Sequence, residues 1–226
     1  MQTVIRPSDF GYCVEDFINA VPELGLSFNS LAAAGADVAV QFGYPFSLVH
    51  GWEKARQVQQ NIQGSSKTGF VMMGVEAVHA LRYLKCKSVA IASTYYSEKM
   101  SKILYAYLME AGLNVVNSGN RQPQDMVEEK NSGLFVGEGE SDPMNWKNPS
   151  YAVEEAVRHA SKNNPDADCI LVSGGGNRLL DIVDGLEKEV NKPVVGGDIT
   201  LYWGILRRLG IKKGVEGHGR LLAGLT

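Results

Sequence analysis

The chain has 226 residues, of which 44% are apolar, and its 22 basic and 25 acidic residues give a formal charge of −3. This length and composition suit one large globular domain or two small ones that share an interface. The charge balance, without a run of Lys and Arg, argues against a nucleic-acid partner. Every long apolar stretch is interrupted by a charge or by glycine, so no membrane-spanning helix is predicted.

The three cysteines, Cys13, Cys86 and Cys169, have no metal-ligand spacing. An odd number of cysteines, together with an N-terminus that lacks the apolar core of a secretion signal, predicts a cytoplasmic protein in a reducing environment. Cys169 lies inside an apolar run and is expected in the core. No metal site is predicted.

Strand-like apolar runs alternate with helical patterns, which is typical of an α/β protein with helices on both faces of parallel sheets. Strands are predicted at 38–42, 69–71, 88–92, 113–116, 169–173 and 193–195. Helices are predicted at 24–34, 51–63, 73–85, 97–111, 150–162, 176–190 and 199–209. The segment 117–150, rich in Gly, Asn, Pro and acidic residues, reads as a long loop or a connection between halves.

The chain also contains an apparent internal repeat. Asp37 opens a strand that reaches Gly43 six residues later, and Asp168 opens one that reaches Gly174 at the same spacing. Two similar halves, 1–92 with 200–226 and 93–199, would place these glycines on opposite walls of one cleft. Ligands of parallel sheets bind beyond the carboxyl ends of the strands, so this cleft is the predicted site. The alternative is that any two βαβ units look alike at this level.

Three consecutive glycines, Gly174, Gly175 and Gly176, join a strand to a predicted helix. Backbone N–H groups at such a turn favour a carboxylate or a phosphate. The competing interpretation is close packing of the helix against the strand. A dinucleotide-binding fingerprint would need glycine at Leu179, and a Walker A loop would need Gly-Lys-Ser/Thr, so neither is present.

Other polar residues at strand ends are weaker candidates. Thr94 and Tyr95 follow a predicted strand, and the Tyr95 phenol could donate to a carboxylate, although packing also explains the tyrosine. Asp198 begins a helix, where it could serve as a proton donor or as an N-terminal cap. His50 and His218 could approach the cleft, but surface or helix-end roles fit them as well.

Several segments, in their order and spacing, resemble the aspartate/glutamate racemase superfamily, and most closely its arylmalonate decarboxylase and maleate cis-trans isomerase branch. The resemblance covers about residues 24–222. It is carried by ADVAVQFGYPFSLVHG, GVEAVHALRYLKCKSVAIASTYYSEKMSKILYAYLMEAGLNVV, ADCILVSGGGNRLLDIVDGLEKEVNKPVV, LYWGILRRLGI and GHGRLL.

The resemblance implies two flavodoxin-like halves related by a pseudo-twofold axis, with a small carboxylic acid bound between them and no metal or organic cofactor. It places the family's reactive cysteines at Gly43 and Gly174, where this chain has no thiol. Neither glycine can donate a proton or attack a carbon. Relatives also carry an additional strand and a substrate-contacting loop before the segment that begins here, so about 30 residues are expected to be missing.

The resemblance further assigns Tyr95 as the carboxylate-binding tyrosine. The expected substrate-binding residues are taken from both halves of the cleft. They are Gly43, Tyr44, Ser47, Thr94, Tyr95, Gly174, Gly175 and Gly176. The expected catalytic residues are Tyr95 and Asp198.

Two classes of function follow. The first is a cofactor-independent decarboxylase or isomerase of a small dicarboxylic acid, acting through an enediolate-like intermediate. The second is a non-catalytic carboxylate-binding or regulatory relative that has lost the cysteines. An enzyme of unrelated chemistry on the same fold is a third. The sequence leaves open whether the chain forms a homo-oligomer.

Overall fold

The structure is a computed structural model that describes residues 10–94, 96–116 and 149–226. Strands and helices alternate along most of this part of the chain. The strands are β1 (Val38–Gln41), β2 (Gly69–Met72), β3 (Ser88–Ala92), β4 (Asn114–Val115), β5 (Cys169–Val172) and β6 (Val194–Val195). The helices are α1 (Val14–Asn19), α2 (Val21–Ala33), α3 (Pro45–Leu48), α4 (Trp52–Gln63), α5 (Met73–Tyr83), α6 (Glu98–Glu110), α7 (Ser150–Asn163), α8 (Val183–Val190), α9 (Gly197–Arg208) and α10 (Gly219–Ala223).

The strands form two parallel sheets. β1 pairs with β2, and the second sheet has the order β4-β3-β5-β6. In the second sheet Ala92 lies opposite Val172, and Leu171 lies opposite Val195. Because all pairs are parallel, the carboxyl ends of the strands within each sheet lie at one edge. The predicted α/β class with parallel sheets is confirmed.

The strand pairing places β3 and β5 next to each other in the four-stranded sheet. The division of the chain predicted from the repeat ends the first half at residue 92. It thus groups β3 with β1 and β2, and separates it from β5. A boundary that respects hydrogen bonding falls before Ser88. The apolar run of β3 carries no information about its pairing partner, which is why its sequence could not place it.

All six predicted strands are present with ends shifted by no more than two residues. The helix predicted at 176–190 is wrong in its first part, since α8 begins only at Val183. Before it, the N–H groups of Leu179 and Leu180 donate to the side chain of Asp198 instead of to a preceding helical turn. The short helices α1, α3 and α10 were not predicted. Residues 117–148 of the predicted connection lie outside the described residues.

Helix α9 joins the two sheets. It follows β6 of the second sheet, and it packs against α5, β1 and β2 of the first. Gly204 allows this approach, because a Cβ at that position would lie 3.0 Å from Cγ of Glu76 and 3.2 Å from Cγ1 of Val71. The two sheets therefore share a packed interface next to their strand ends.

Glu76 is a buried carboxylate at this interface, with 1% of its surface exposed. Its Oε1 lies 3.4 Å from Nδ1 of His79 and 3.3 Å from a guanidinium nitrogen of Arg208. Burial by itself raises the pKa of Glu76, but the hydrogen bond from His79 and the charges of His79, Arg208 and Arg207 outweigh it and lower the pKa. Among the described residues, no helix combines the length and the hydropathy needed to cross a bilayer.

Candidate functional site

Four strand ends meet at one point of the molecule, which we call the four-strand junction. It consists of Gly43, Met73, Gly175 and Gly197, which follow β1, β2, β5 and β6 respectively. A Cβ on Gly175 would lie 3.4 Å from Cα of Gly43, and a Cβ on Gly197 would lie 3.3 Å from Cα of Gly175. The junction thus brings the glycine loops of both sheets into van der Waals contact.

The thioether of Met73 fills the centre of the junction. Its Sδ lies 3.2 Å from the position of a Cβ on Gly175 and 2.8 Å from that of a Cβ on Gly197. Met73 is fully buried. A side chain at Gly197 would therefore collide with the methionine, and one at Gly175 would press tightly against it. The close packing predicted as the competing interpretation of the glycines is thus present at Gly175.

Gly43 and Gly174 both adopt positive φ angles, +109° and +89°. Residues with a Cβ are strained in this region, whereas glycine occupies it freely. The carbonyl of Gly43 accepts a hydrogen bond of 2.8 Å from Nε2 of Gln41, which is buried at the end of β1. The backbone at both positions is thus suited to glycine.

The loop from Gly174 to Ile182 is held by the buried side chain of Asn177. Its Nδ2 donates to the carbonyl of Ser173 at 2.6 Å, and its Oδ1 accepts from the hydroxyl of Thr94 at 3.1 Å. These bonds connect the ends of β3 and β5. Thr94, predicted to bind substrate, thus uses its hydroxyl to position the loop, and Asn177 was missed because the spacing placed it inside a helix.

Asp198 holds the other side of the same loop. Its Oδ2 accepts the N–H groups of Leu179 at 2.8 Å and Leu180 at 3.1 Å, and its Oδ1 accepts that of Ile199 at 2.8 Å. Both carboxylate oxygens are thus occupied by backbone amides. The N-terminal cap of α9 is Gly196, and Asp198 is the second residue of the helix.

Two further residues predicted to bind substrate, Ser47 and Tyr44, are buried among packed helices. Ser47 is fully buried, and a Cβ on Gly74 would lie 2.5 Å from its Cβ, so Gly74 lets α5 approach α3. Tyr44 is 1% exposed. Burial is the main cause that raises the pKa of Tyr107, on α6, well above its ordinary value, and the charges of Glu110 and Tyr44 raise it further.

Two buried serines follow the neighbouring strands β3 and β5. Ser93 and Ser173 are 1% and 2% exposed, and the N–H of Ser173 donates to the carbonyl of Ala92 at 2.9 Å. Neither hydroxyl has a hydrogen-bond partner within the described part of the chain. Sequence reasoning missed this pair, although each serine comes directly after its strand. An unpaired buried hydroxyl costs about 1–3 kcal/mol, so such groups mark a place where a ligand could bind.

The other predicted residues are less informative. Tyr95 lies outside the described residues. Gly176 is half-buried in the loop. Burial and the charge of Lys54 lower the pKa of His50.

His218 lies 3.0 Å from the carbonyl of Leu180 through its Nδ1. It therefore supports the glycine loop from outside.

Cys86 lies just before β3 and Cys169 begins β5, so both lie at the opposite edge of the sheet from the strand ends described above. Cys169 is fully buried, as predicted, and a hydrogen bond with Cys86 together with burial raises its pKa far above the ordinary value. Within residues 10–94, 96–116 and 149–226, no group of three His, Cys, Asp or Glu side chains could hold a metal ion.

Comparisons with known proteins place this geometry in a family. The model of the arylmalonate decarboxylase family matches residues 12–128 and 147–222. Arylmalonate decarboxylase from Bordetella bronchiseptica is 29% identical over 192 residues, which cover 84% of this chain and 73% of that protein.

Solved structures with a similar fold include decarboxylases and isomerases. Unliganded arylmalonate decarboxylase superposes with a TM-score of 0.72 at 20% identity, covering 97% of this chain and 94% of that one. Maleate cis-trans isomerase from Nocardia farcinica gives a TM-score of 0.70 at 19% identity, with coverage of 92% and 80%. The maleate isomerase from Pseudomonas putida S16 gives 0.73 at 17% identity, with coverage of 94% and 81%.

The fold is thus one that is shared with α/β enzymes of the lyase and isomerase kinds. The chain belongs to the arylmalonate decarboxylase family. The resemblance to arylmalonate decarboxylase seen in the sequence is confirmed.

Proposed function

We propose that the chain is a cofactor-independent decarboxylase or isomerase of a small dicarboxylic acid, which binds beside the four-strand junction and reacts through an enediolate-like intermediate. Family membership supports the class of reaction. The observation that carries the location is the pair of unpaired buried hydroxyls of Ser93 and Ser173, which adjoin the glycine loop. A carboxylate is a ligand that accepts from both hydroxyls and from backbone N–H groups.

Bound ligands of the relatives are consistent with this proposal. One arylmalonate decarboxylase structure is of a liganded form, and another is associated with a sulfate ion. A variant of the maleate isomerase from Pseudomonas putida S16 holds maleate. These ligands belong to those proteins, and we extend only their chemical class, small anions, to this chain.

For a malonate-type substrate, the proposed reaction begins when the bond between Cα and one carboxyl carbon breaks. CO2 leaves, and the bonding electrons move onto the remaining carboxylate to form the enediolate. The hydroxyls of Ser93 and Ser173 and the backbone amides of the glycine loop stabilise this charge. Fixed donors of this kind supply a large catalytic effect in a site without bulk water. A proton then adds to Cα and completes the monocarboxylic acid.

The reactive groups at these strand ends differ from those of a cysteine enzyme. One structure of the Nocardia farcinica isomerase contains a covalently bound succinylcysteine intermediate. The positions that the resemblance assigns to cysteine are Gly43 and Gly174 in this chain. We therefore assign the proton to Tyr95 or to a bound water, and not to Asp198, whose oxygens are engaged by three backbone amides.

Proton NMR in D2O tests the proposal directly. The purified chain is incubated with malonate, methylmalonate, phenylmalonate and maleate, and substrate loss and deuterium incorporation at Cα are followed. We expect turnover of at least one acid, and a loss of about a hundredfold in kcat/KM for Ser93→Ala and for Ser173→Ala. Ser88→Ala is the matched control, because Ser88 begins β3 at the opposite edge of the sheet. Absence of turnover with all four acids contradicts the proposal.

A second function has specific support. Glycine at both proposed cysteine positions, and a methionine that fills the junction, favour a relative that binds a carboxylate without converting it. Titration calorimetry with the same four acids separates the two functions. Saturable binding without any change in the ligand supports the binding protein, and turnover rules it out.

A further inference from the structure

The thioether of Met73 is the largest group at the four-strand junction. It belongs to the first residue of α5, directly after β2, and it reaches across to the glycines that follow β5 and β6. Sδ and Cε lie 2.8 to 3.3 Å from the positions that a Cβ would take on Gly175 and Gly197, which leaves no room for an added atom between them. Any enlargement of the site in this direction therefore needs a change in Met73.

We infer that Met73 sets the size of the α-substituent that the site accepts. This inference rests on the proposed function. A carboxylate bound to the Ser173 hydroxyl and the following glycine loop lies beside Gly175, and Gly175 is in contact with the methionine tip. The carbon that carries the carboxylate, and the group attached to that carbon, then approach Met73.

Methionine is suited to this role for a physical reason. Its unbranched, flexible and polarisable side chain fits irregular space and adjusts to a neighbour. It can therefore yield to a small substituent, whereas a larger one meets the backbone of the two glycines. Because those glycines carry no side chain, the methionine tip is the part of the junction that defines the available volume.

Titration calorimetry on two ligands of different size tests the inference. Methylmalonate and butylmalonate share the dicarboxylate and differ only in the α-substituent. We expect the intact chain to prefer methylmalonate. In Met73→Ala, which removes the three outermost heavy atoms of the side chain, we expect the preference to shift towards butylmalonate by about tenfold or more, since a single methylene in an apolar pocket is worth about tenfold to two-hundredfold.

Two further variants separate a change in specificity from a general loss of packing. Leu108→Ala removes a similar apolar volume from a buried position near the end of α6, which leads back to the amino end of β4. It should leave the ligand preference unchanged. Met73→Val shortens the side chain less, and it should give an intermediate shift even if Met73→Ala does not fold.

The outcomes distinguish this inference from the proposed function. Binding of both ligands with the same ratio of dissociation constants in the intact chain, Met73→Ala and Met73→Val overturns the role of Met73 and leaves the proposed function in place. No binding of either ligand by any of these proteins overturns both. An equal shift in Leu108→Ala also overturns the inference, because the effect would then follow from lost packing alone.

Discussion

The carboxylate of Asp198 accepts the backbone N–H of Leu179 at 2.8 Å, across 19 residues of the chain. The same oxygen accepts from Leu180, and the other accepts from Ile199. A residue selected from the sequence as a proton donor thus fixes the loop that follows β5. We therefore expect a substitution of Asp198 to change the free energy of unfolding more directly than it changes turnover.

We expect Asp198→Ala to lower the free energy of unfolding by about 1–3 kcal/mol, because three backbone donors lose their acceptor. Urea denaturation followed by circular dichroism measures this loss. Asp184→Ala is the control, since Asp184 forms an i,i+4 pair with Lys188 on the surface of α8 and should contribute little. A variant that keeps full stability but loses turnover would restore Asp198 as a proton donor.

The packing of Met73 against Gly197 predicts a coupling between the two positions. Gly197→Ala places a Cβ 2.8 Å from Sδ of Met73, so we expect overpacking to cost about 1–3 kcal/mol. In the Met73→Ala background that atom is gone, and the second substitution should cost less. A double-mutant cycle in urea measures the difference.

Gly185→Ala serves as the control for this cycle. Gly185 lies in α8 with open space at its Cβ position, so alanine should stabilise the chain by about 0.5–1 kcal/mol. Additive effects of the Met73 and Gly197 substitutions would contradict the described packing.

The lowered pKa of Glu76 predicts that the free energy of unfolding falls in acid. Its folded pKa lies below its unfolded value of 4.5 because of His79, Arg208 and Arg207, so its contribution is present above the unfolded pKa and is lost as pH falls through the folded pKa. The free energy of unfolding, measured from about pH 7 downwards, should therefore depend less on pH in Glu76→Gln than in the intact chain.

Glu187 provides a contrast of opposite sign. It is also buried, and burial raises its pKa despite hydrogen bonds from the N–H groups of Val194 and Arg220. Its contribution is therefore full below the unfolded pKa and is lost as pH rises through the folded pKa. If Glu187→Gln and Glu76→Gln change the pH dependence in the same direction, the assignment of the two carboxylates is wrong.

Gly174→Cys tests whether the glycine loop stands where relatives are proposed to keep a thiol. We expect a loss of about 1–2 kcal/mol in stability from the positive φ of +89°, together with a faster decarboxylation or a new racemase activity. NMR in D2O detects both reactions. Gly112→Cys is matched for strain, with φ +78° and open space at its Cβ position, and should lose stability without gaining activity.

The sequence predicted the strands and the family well, but it placed the glycine loop in the wrong local structure. The pattern of Leu179, Val183 and Leu186 indicated a helix from residue 176. This prediction failed because side-chain periodicity does not reveal a distant acceptor for backbone N–H groups. Asp198 supplies such an acceptor from another segment, and Asn177, inside the loop, binds Ser173 and Thr94 through its side chain. Tertiary contacts of this kind override local propensity and are invisible to spacing.

Only part of the site could be predicted from the sequence, again because spacing does not reveal tertiary contacts. The glycines at the ends of β1 and β5 were identified, because strand ends and glycines are recognisable in a sequence. Met73 was not, because an apolar residue after a strand is indistinguishable from an ordinary core residue. Ser93 and Ser173 become notable only through the pairing of β3 with β5 and the burial of their hydroxyls.

The bond between Asp198 and the glycine loop also has a mechanical consequence. Asp198 belongs to α9, and α9 packs against α5, β1 and β2 of the other sheet. A displacement of Leu179 or Leu180 therefore also displaces a helix that is packed against the other sheet. A ligand that repositions the loop must therefore also disturb the packed interface between the sheets. This favours a rigid binding site over one that closes around its ligand.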